Sequence, residues 1–266
     1  MPTLLVIPAR YASTRYPGKP LVELRGATGQ ARSLIRRSWD AAMAVPGIDR
    51  VVVATDDDRI REASEAFGAE VVMTSEDCAN GTERCADALE RLGGGYDIVV
   101  NLQGDAPLTP AWFIEDLVAG LSAHPTAEVA TPVLATTGEA LADLLEDRRA
   151  GRVGGTTAVF GVDWRGLYFS KEVIPYTGRT YGAEEITPVW HHVGVYAYRP
   201  SALAAYPLWA PGKLEKLEGL EQLRFLERGR EMLCVPVEAR GRAFWELNNP
   251  EDVPRIEAML ARMGVE

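Results

Sequence analysis

Tyr96-Asp97-Ile98-Val99-Val100-Asn101-Leu102 is a short apolar run closed by Gln103-Gly104-Asp105-Ala106-Pro107, and its Ile98-Val99-Val100 centre shows no alternation of apolar and polar positions. A strand apolar at successive positions is covered on both faces, as strands of parallel sheets are. A helical stretch, Pro110 to Leu121, follows at once. Outward from it the pattern repeats: Thr3 to Pro8 then Arg32 to Met43, Arg50 to Ala54 then Asp58 to Phe67, Glu70 to Met73 then Thr82 to Leu92. This succession predicts βαβ units on a mostly parallel sheet, an α/β fold. Ligands of such sheets bind at the carboxyl ends of the strands, so the loops that follow them are where chemistry is expected.

Beyond about residue 125 the pattern changes. Val129 to Leu134 reads as a strand, Glu139 to Arg149 as a helix, and Thr156 to Val162 and Gly166 to Ser170 as β-rich runs, before a turn-rich segment from Pro175 to Pro188. Val193 to Tyr198 and Met232 to Val237 read as strands, Leu214 to Leu226 as one Leu-rich amphipathic core helix, and a last helix is opened by Pro250. Neither an internal repeat nor a low-complexity linker divides the chain. The expectation is one domain over 1–266 whose sheet carries an inserted β-rich lobe at about 155–190.

Composition narrows the function. Of 266 residues, 47% are apolar and 25% charged, as in an ordinary globular chain, and 28 Lys plus Arg against 38 Asp plus Glu leave a net charge of -10. That sign argues against a nucleic-acid or anionic-membrane partner. Cys78, Cys85 and Cys234 are odd in number and lack C-x-x-C spacing, which fits a reducing compartment rather than a disulfide framework or zinc knuckle. No basic segment precedes the apolar run at Leu4 and no stretch approaches 18 apolar residues, so a cytoplasmic protein without membrane spans is expected.

Against that acidic background the loop after the first strand stands out: Pro8-Ala9-Arg10-Tyr11-Ala12-Ser13-Thr14-Arg15-Tyr16-Pro17-Gly18-Lys19-Pro20. Three cations, small residues and rigidifying prolines at a strand's carboxyl end make an anion-binding loop, since Arg offers paired donors to phosphate and Lys a compact charge. Gly18-Lys19 is followed by proline rather than Ser or Thr, so this is no Walker A loop, and a G-x-G-x-x-G motif is missing too. Asp105, at the same sheet edge, suits a Mg²⁺ ligand, because Mg²⁺ takes one or two protein oxygens together with substrate phosphates.

Seven segments in order then carry a resemblance: the loop Pro8 to Leu21, Ala54-Thr55-Asp56, Asn80-Gly81-Thr82-Glu83-Arg84, Gln103-Gly104-Asp105, Leu167-Tyr168-Phe169-Ser170, Leu220-Glu221-Gln222-Leu223-Arg224 and Pro250-Glu251-Asp252. Over nearly the whole chain they resemble the 3-deoxy-manno-octulosonate (Kdo) cytidylyltransferases. The resemblance implies a Rossmann-like nucleotidyltransferase sheet of the glycosyltransferase-A type, a homodimer, and transfer of CMP from CTP to a small acidic acceptor with Mg²⁺. It implies that Arg10 and Lys19 hold the triphosphate with Ala9 beside them, and that Ser13 and Arg15 support the loop. Asn80, Gly81, Thr82 and Arg84 would lie against nucleotide and acceptor, Gln103 by ribose or acceptor, and Asp105 on the metal. Lys171, His192, Glu218, Glu221 and Gln222 would face the acceptor, with Arg84, Lys171 and His192 as its candidate cations.

The chain departs from the family pattern where acceptor and second metal ligand belong. Asn248 stands where the family has an Asp, with Glu246 as a substitute candidate. Ala106 replaces a Glu, Lys171 an Arg, and Thr157 falls where the family has a Lys. A small phosphonate such as phosphonoformate therefore rivals Kdo or an amino-Kdo as acceptor. Another nucleotidyltransferase or a nucleotide-sugar-using glycosyltransferase of the same fold is the alternative activity, and a catalytically dead module is a third reading.

Overall fold

The computed structural model describes residues 1–12, 16–153, 155–242, 246–247 and 249–265. The chain divides into two units. The first comprises Met1–Glu115, Arg199–Ala204 and Ala239–Glu266, and the second Asp116–Tyr198 and Ala205–Glu238.

The first unit is the βαβ succession read from the sequence. Strands β1 (Thr3–Ala9), β4 (Arg50–Thr55), β5 (Val71–Met73) and β6 (Ile98–Leu102) are joined through helices α1 (Leu34–Met43), α2 (Asp58–Glu65) and α3 (Gly81–Arg91). They lie in the order β5-β4-β1-β6, all parallel, with Leu4 opposite Arg50 and Thr3 opposite Ile98. Leu4, Leu5, Val6, Ile7, Val99 and Val100 are fully buried, which is why successive positions had to be apolar. A hairpin of β2 (Glu23–Arg25) and β3 (Ala31–Ser33) sits between the first loop and α1. The sequence does not announce it, because strands of three residues carry too few positions for a period. Under this hairpin, Leu24, Leu34, Leu108, Leu247, Ile256 and Leu260 form a separate core. The last two belong to the C-terminal helix Asp252–Met263, which starts two residues after Pro250.

Helix α4 (Ala111–Ala123) contains the division between the units. In the second unit, β7 (Val129–Thr137) is followed by α5 (Gly138–Arg149), β8 (Thr156–Phe160), β9 (Gly166–Ser170), β10 (Ile186–His192) and β11 (Val195–Tyr198). The order β11-β7-β10-β8-β9 is antiparallel, and the strand Met232–Val237 lies parallel to β7. The expected turn-rich segment reaches only to residue 185, because Ile186 to Pro188 already belong to β10.

The single helix expected from Leu214 to Leu226 is two short ones, Lys213–Glu218 and Leu223–Glu227. Gly219 takes a left-handed φ of 62° and ends the first. The leucine spacing misled here: Leu217 is 73% exposed, whereas Leu223 is fully buried.

Candidate active site

In the first unit the site is built from the loops that follow β1, β4, β5 and β6. Gly18 N–H donates to the Tyr11 carbonyl at 2.9 Å, closing the loop after β1, and a single helical turn, Lys19–Leu21, presents Lys19. Lys19 Nζ lies 2.6 Å from Asp105 Oδ2, with the two side chains 15% and 24% exposed. Cation and carboxylate, 86 residues apart, are thus one ion pair at the sheet's ligand edge. Arg10 is exposed and its Nη1 donates to the Ala79 carbonyl at 3.3 Å, tying the same loop to the start of α3.

Asn80 caps α3. Its Oδ1 accepts from Glu83 N–H at 2.8 Å, while Glu83 Oε2 accepts from Ala79 N–H at 2.8 Å. This reciprocal cap explains why Asn80 and Glu83 stand three apart at a helix start. Gln103 lies against it, its Nε2 3.1 Å from where a β-carbon on Gly81 would stand, and Thr82 is buried beside it. Arg84 is only 3% exposed: Nη1 donates to Thr74 Oγ1 at 2.6 Å and lies 3.3 Å from Asp56 Oδ1. Its charge is balanced by Asp56 in the loop after β4, a pairing that no spacing in the chain reveals.

The Asp105 carbonyl accepts from Leu247 N–H at 2.9 Å, and Leu247 is fully buried, so Glu246 is carried to the neighbourhood of Asp105. Ala9 is buried at the end of β1. Ser13, Arg15 and Asn248 lie outside the described residues. Among the described residues no group of three or more His, Cys, Asp or Glu could hold a metal ion. A lone, partly exposed carboxylate beside a cationic loop fits Mg²⁺, which keeps waters and relies on substrate phosphates, better than an ion that needs a full protein cage.

The remaining candidates belong to the second unit. Glu218 accepts from Ser170 Oγ at 2.7 Å, Lys171 N–H at 2.9 Å and Tyr168 Oη at 3.2 Å, clasping the end of β9. Lys171 Nζ passes 2.9 Å from where a β-carbon on Gly219 would stand. Gln222 is buried; its Oε1 accepts from Tyr196 Oη at 3.2 Å and its Nε2 has no hydrogen-bond partner. Glu221 offers its carbonyl to Tyr206 Oη at 3.1 Å. Thr157 is fully buried, its hydroxyl donating to the Glu172 carbonyl at 2.7 Å.

His192 requires a correction. It is 5% exposed, and burial, with His191 beside it, pushes its pKa down to about 3, so it is neutral rather than one of the pocket's cations. Thr131 Oγ1 directs its one proton to the carbonyls of Val195 and Val193, at 2.9 and 3.2 Å. It therefore accepts from His192 Nε2 at 3.0 Å, which assigns the imidazole proton to Nε2 and leaves Nδ1 an acceptor.

A parallel α/β unit that joins a lysine to an aspartate at the strands' carboxyl ends has the arrangement of a nucleotide-using transferase. The cytidylyltransferase family model matches residues 4–232. A 3-deoxy-manno-octulosonate cytidylyltransferase of Maricaulis maris is 46% identical over 264 residues, 99% of each chain. An 8-amino-3,8-dideoxy-manno-octulosonate cytidylyltransferase of Shewanella frigidimarina is 39% identical over 98% of this chain and 99% of its own. Among solved structures, a CMP:2-keto-3-deoxy-manno-octonic acid synthetase complexed with CTP superposes with a TM-score of 0.82 at 30% identity, covering 99% of this chain and all of that one. The chain belongs to the cytidylyltransferase family, and its mixed α/β fold is that of a nucleotidyltransferase.

Proposed function

We propose that this enzyme transfers CMP from CTP to a Kdo-type sugar acid and releases pyrophosphate. The observation that carries the reading is the Lys19–Asp105 pair at 2.6 Å in a family member whose relatives from Maricaulis maris and Shewanella frigidimarina are named as cytidylyltransferases of Kdo-type acids. The acceptor hydroxyl oxygen forms a bond to the α-phosphorus, its proton passes to solvent, and the bond to the β-phosphate oxygen breaks with its electron pair leaving on pyrophosphate. Lys19 and Arg10 neutralise the triphosphate, the capped start of α3 with Gly81 and Thr82 lies along the nucleotide, and Gln103 orients ribose or acceptor. Asp105, with Asn248 or Glu246, would hold Mg²⁺, whose contribution is to offset charge on the triphosphate. Aligning acceptor and α-phosphorus is the rest of the work, since little covalent chemistry is asked of the protein.

In the second unit, at about 155–190 and around Lys213–Glu227, Lys171 supplies the cation for the acceptor's acid group. His192 Nδ1, Gln222 Nε2, Glu218 and Glu221 offer neutral or anionic partners to its hydroxyls, while Arg84 braces the nucleotide side. Val162, Leu167, Tyr176 and Ile186 are exposed there, which supports a homodimer through this lobe. No helix among the described residues is long and apolar enough to cross a membrane. The free thiols of Cys78, Cys85 and Cys234 support a reducing compartment, the cytoplasm.

Pyrophosphate release with Mg²⁺ and each of four nucleoside triphosphates, against Kdo, 8-amino-Kdo, a sialic acid, phosphonoformate and a blank, tests this. Release with CTP and Kdo or 8-amino-Kdo is the expected result. Release with phosphonoformate alone overturns the acceptor, release with another triphosphate the donor, and silence across the panel the activity.

A further inference from the structure

We propose that Arg59 is a positioning residue of the nucleotide site, acting through Tyr11 on the turn that presents Lys19. The Arg59 guanidinium carbon lies 3.3 Å from the centroid of the Tyr11 ring. A fork of two hydrogen bonds to Asp57, Nε to Oδ1 at 3.0 Å and Nη2 to Oδ2 at 2.6 Å, fixes the plane of that guanidinium. Asp57 is itself immobilised as the cap of α2, accepting from Arg59 N–H at 2.9 Å. The stacked cation is thus pre-organised by a helix rather than held by a free side chain.

On the other side of the relay is Gly18. A β-carbon there would meet Cε2 and Cζ of Tyr11 at 3.1 Å, and Gly18 has a left-handed φ of 71°. Gly18 N–H also bonds the Tyr11 carbonyl, so ring and backbone of Tyr11 both locate the residue immediately before Lys19. The order of support runs from the α2 cap through Arg59 and Tyr11 to Gly18, Lys19 and Asp105. Arg59 is not in the anion-binding loop and its own charge is paired with Asp57. Its effect is therefore on where Lys19 stands, and it is felt in binding of the triphosphate.

This inference rests on the reading that the loop takes the triphosphate of CTP. The test is equilibrium binding of CTP by titration calorimetry, with melting temperature and kcat recorded, for wild type, Arg59→Ala, Arg59→Lys, Tyr11→Leu and the Arg59→Ala/Tyr11→Leu double variant. Arg59→Ala is expected to weaken CTP about fivefold, the size of a partly exposed cation–π contact, with KM rising by the same factor and kcat little changed. Arg59→Lys keeps the charge but not the planar fork and recovers only part of the loss. The double variant binds no worse than the weaker single one, because both break the same relay. CTP binding to Arg59→Ala as tight as wild type, or additive losses in the double variant, overturns the proposal. Failure of wild type to bind CTP overturns instead the reading of the loop. Should Arg59→Ala melt far lower because the α2 cap is disturbed, Tyr11→Leu, which leaves that cap intact, decides alone.

Discussion

The candidate groups of the first unit and those of the second handle charge in opposite ways. In the first unit Lys19 and Asp105 are charged, partly exposed and paired with one another at 2.6 Å. In the second, Glu218 and His192 are engaged by the fold itself: Glu218 already accepts from three donors, and His192 is buried and neutral. A polyanion arriving with Mg²⁺ can divide the first pair between them, Lys19 going to phosphate and Asp105 to metal, without leaving either charge uncompensated. In the second unit Glu218 and His192 are held by hydrogen bonds instead, and what they offer an acceptor is a rigid pattern of donors and acceptors. On the proposed function, donor binding is an exchange of charges, whereas the acceptor meets one cation, Lys171, among groups already engaged in hydrogen bonds.

The comparison is most exposed to failure at Asp105. Asp105→Ala should cut kcat by about 10³-fold, the scale of removing a group that stabilises transition-state charge. It should also free Lys19, so that CTP without metal binds this variant more tightly than wild type; calorimetry showing weaker metal-free binding would break the idea of exchange. Lys19→Ala should cost about 10²-fold in kcat/KM and, tested with Mn²⁺ alone, bind the ion more tightly than wild type does.

Next in size is Arg224, 2% exposed and bidentate to Glu215 at 2.8 and 2.6 Å, with its guanidinium carbon 4.0 Å from the Tyr206 ring centroid. Arg224→Ala leaves Glu215 buried without its cation, though still bonded by Gly212 N–H and Tyr206 Oη, and should cost about 3–5 kcal/mol of stability by denaturant titration. Replacing both partners with apolar residues should recover most of it. If turnover collapses while stability holds, the pair belongs to the site and not to the scaffold.

A smaller effect is set by His192. Its folded pKa of about 3 lies below the 6.5 of an exposed imidazole. The unfolded chain therefore takes up the proton first, and the histidine's contribution is complete above about pH 6.5 and declines as pH falls through that value toward 3. Between pH 6.5 and 4.5 about 2 kcal/mol should be lost through His192, with His191, whose pKa burial lowers to about 4, adding to the same slope. A His192→Asn variant should show a flatter profile, and an unchanged slope would assign the loss elsewhere. The smallest expected change is at Leu217, where Leu217→Lys should alter stability by less than about 0.5 kcal/mol, because its side chain is 73% exposed. A loss of 2 kcal/mol or more would restore the continuous core helix.

How legible the molecule was depended on the range of the forces involved. Strands β1, β4 and β6 and their helices follow from apolar periodicity, a local property that burial on both faces of a sheet imposes on consecutive residues. Over Leu214 to Leu226 the three-residue leucine spacing predicts one helix because it continues through Gly219, yet a left-handed residue ends a helix whatever pattern surrounds it. Arg10, Lys19 and Asp105 were legible as charge concentrated at strand ends. Arg59 and Tyr11 were not, since a guanidinium 3.3 Å from a ring 48 positions away leaves no periodicity in the chain. Asp57-Asp58-Arg59 after a strand does signal a helix cap, and that was the only clue.

By itself, then, the amino-acid order determined the α/β class, the cation-rich loop after β1 and the family, because each is written in neighbouring residues or in motifs of fixed spacing. Tertiary structure alone decided that Lys19 and Asp105 share one ion pair, that Arg84 answers to Asp56, and that His192 carries no charge. Those depend on distance and desolvation in three dimensions, and the same side chain is cation or neutral acceptor according to what the fold places around it.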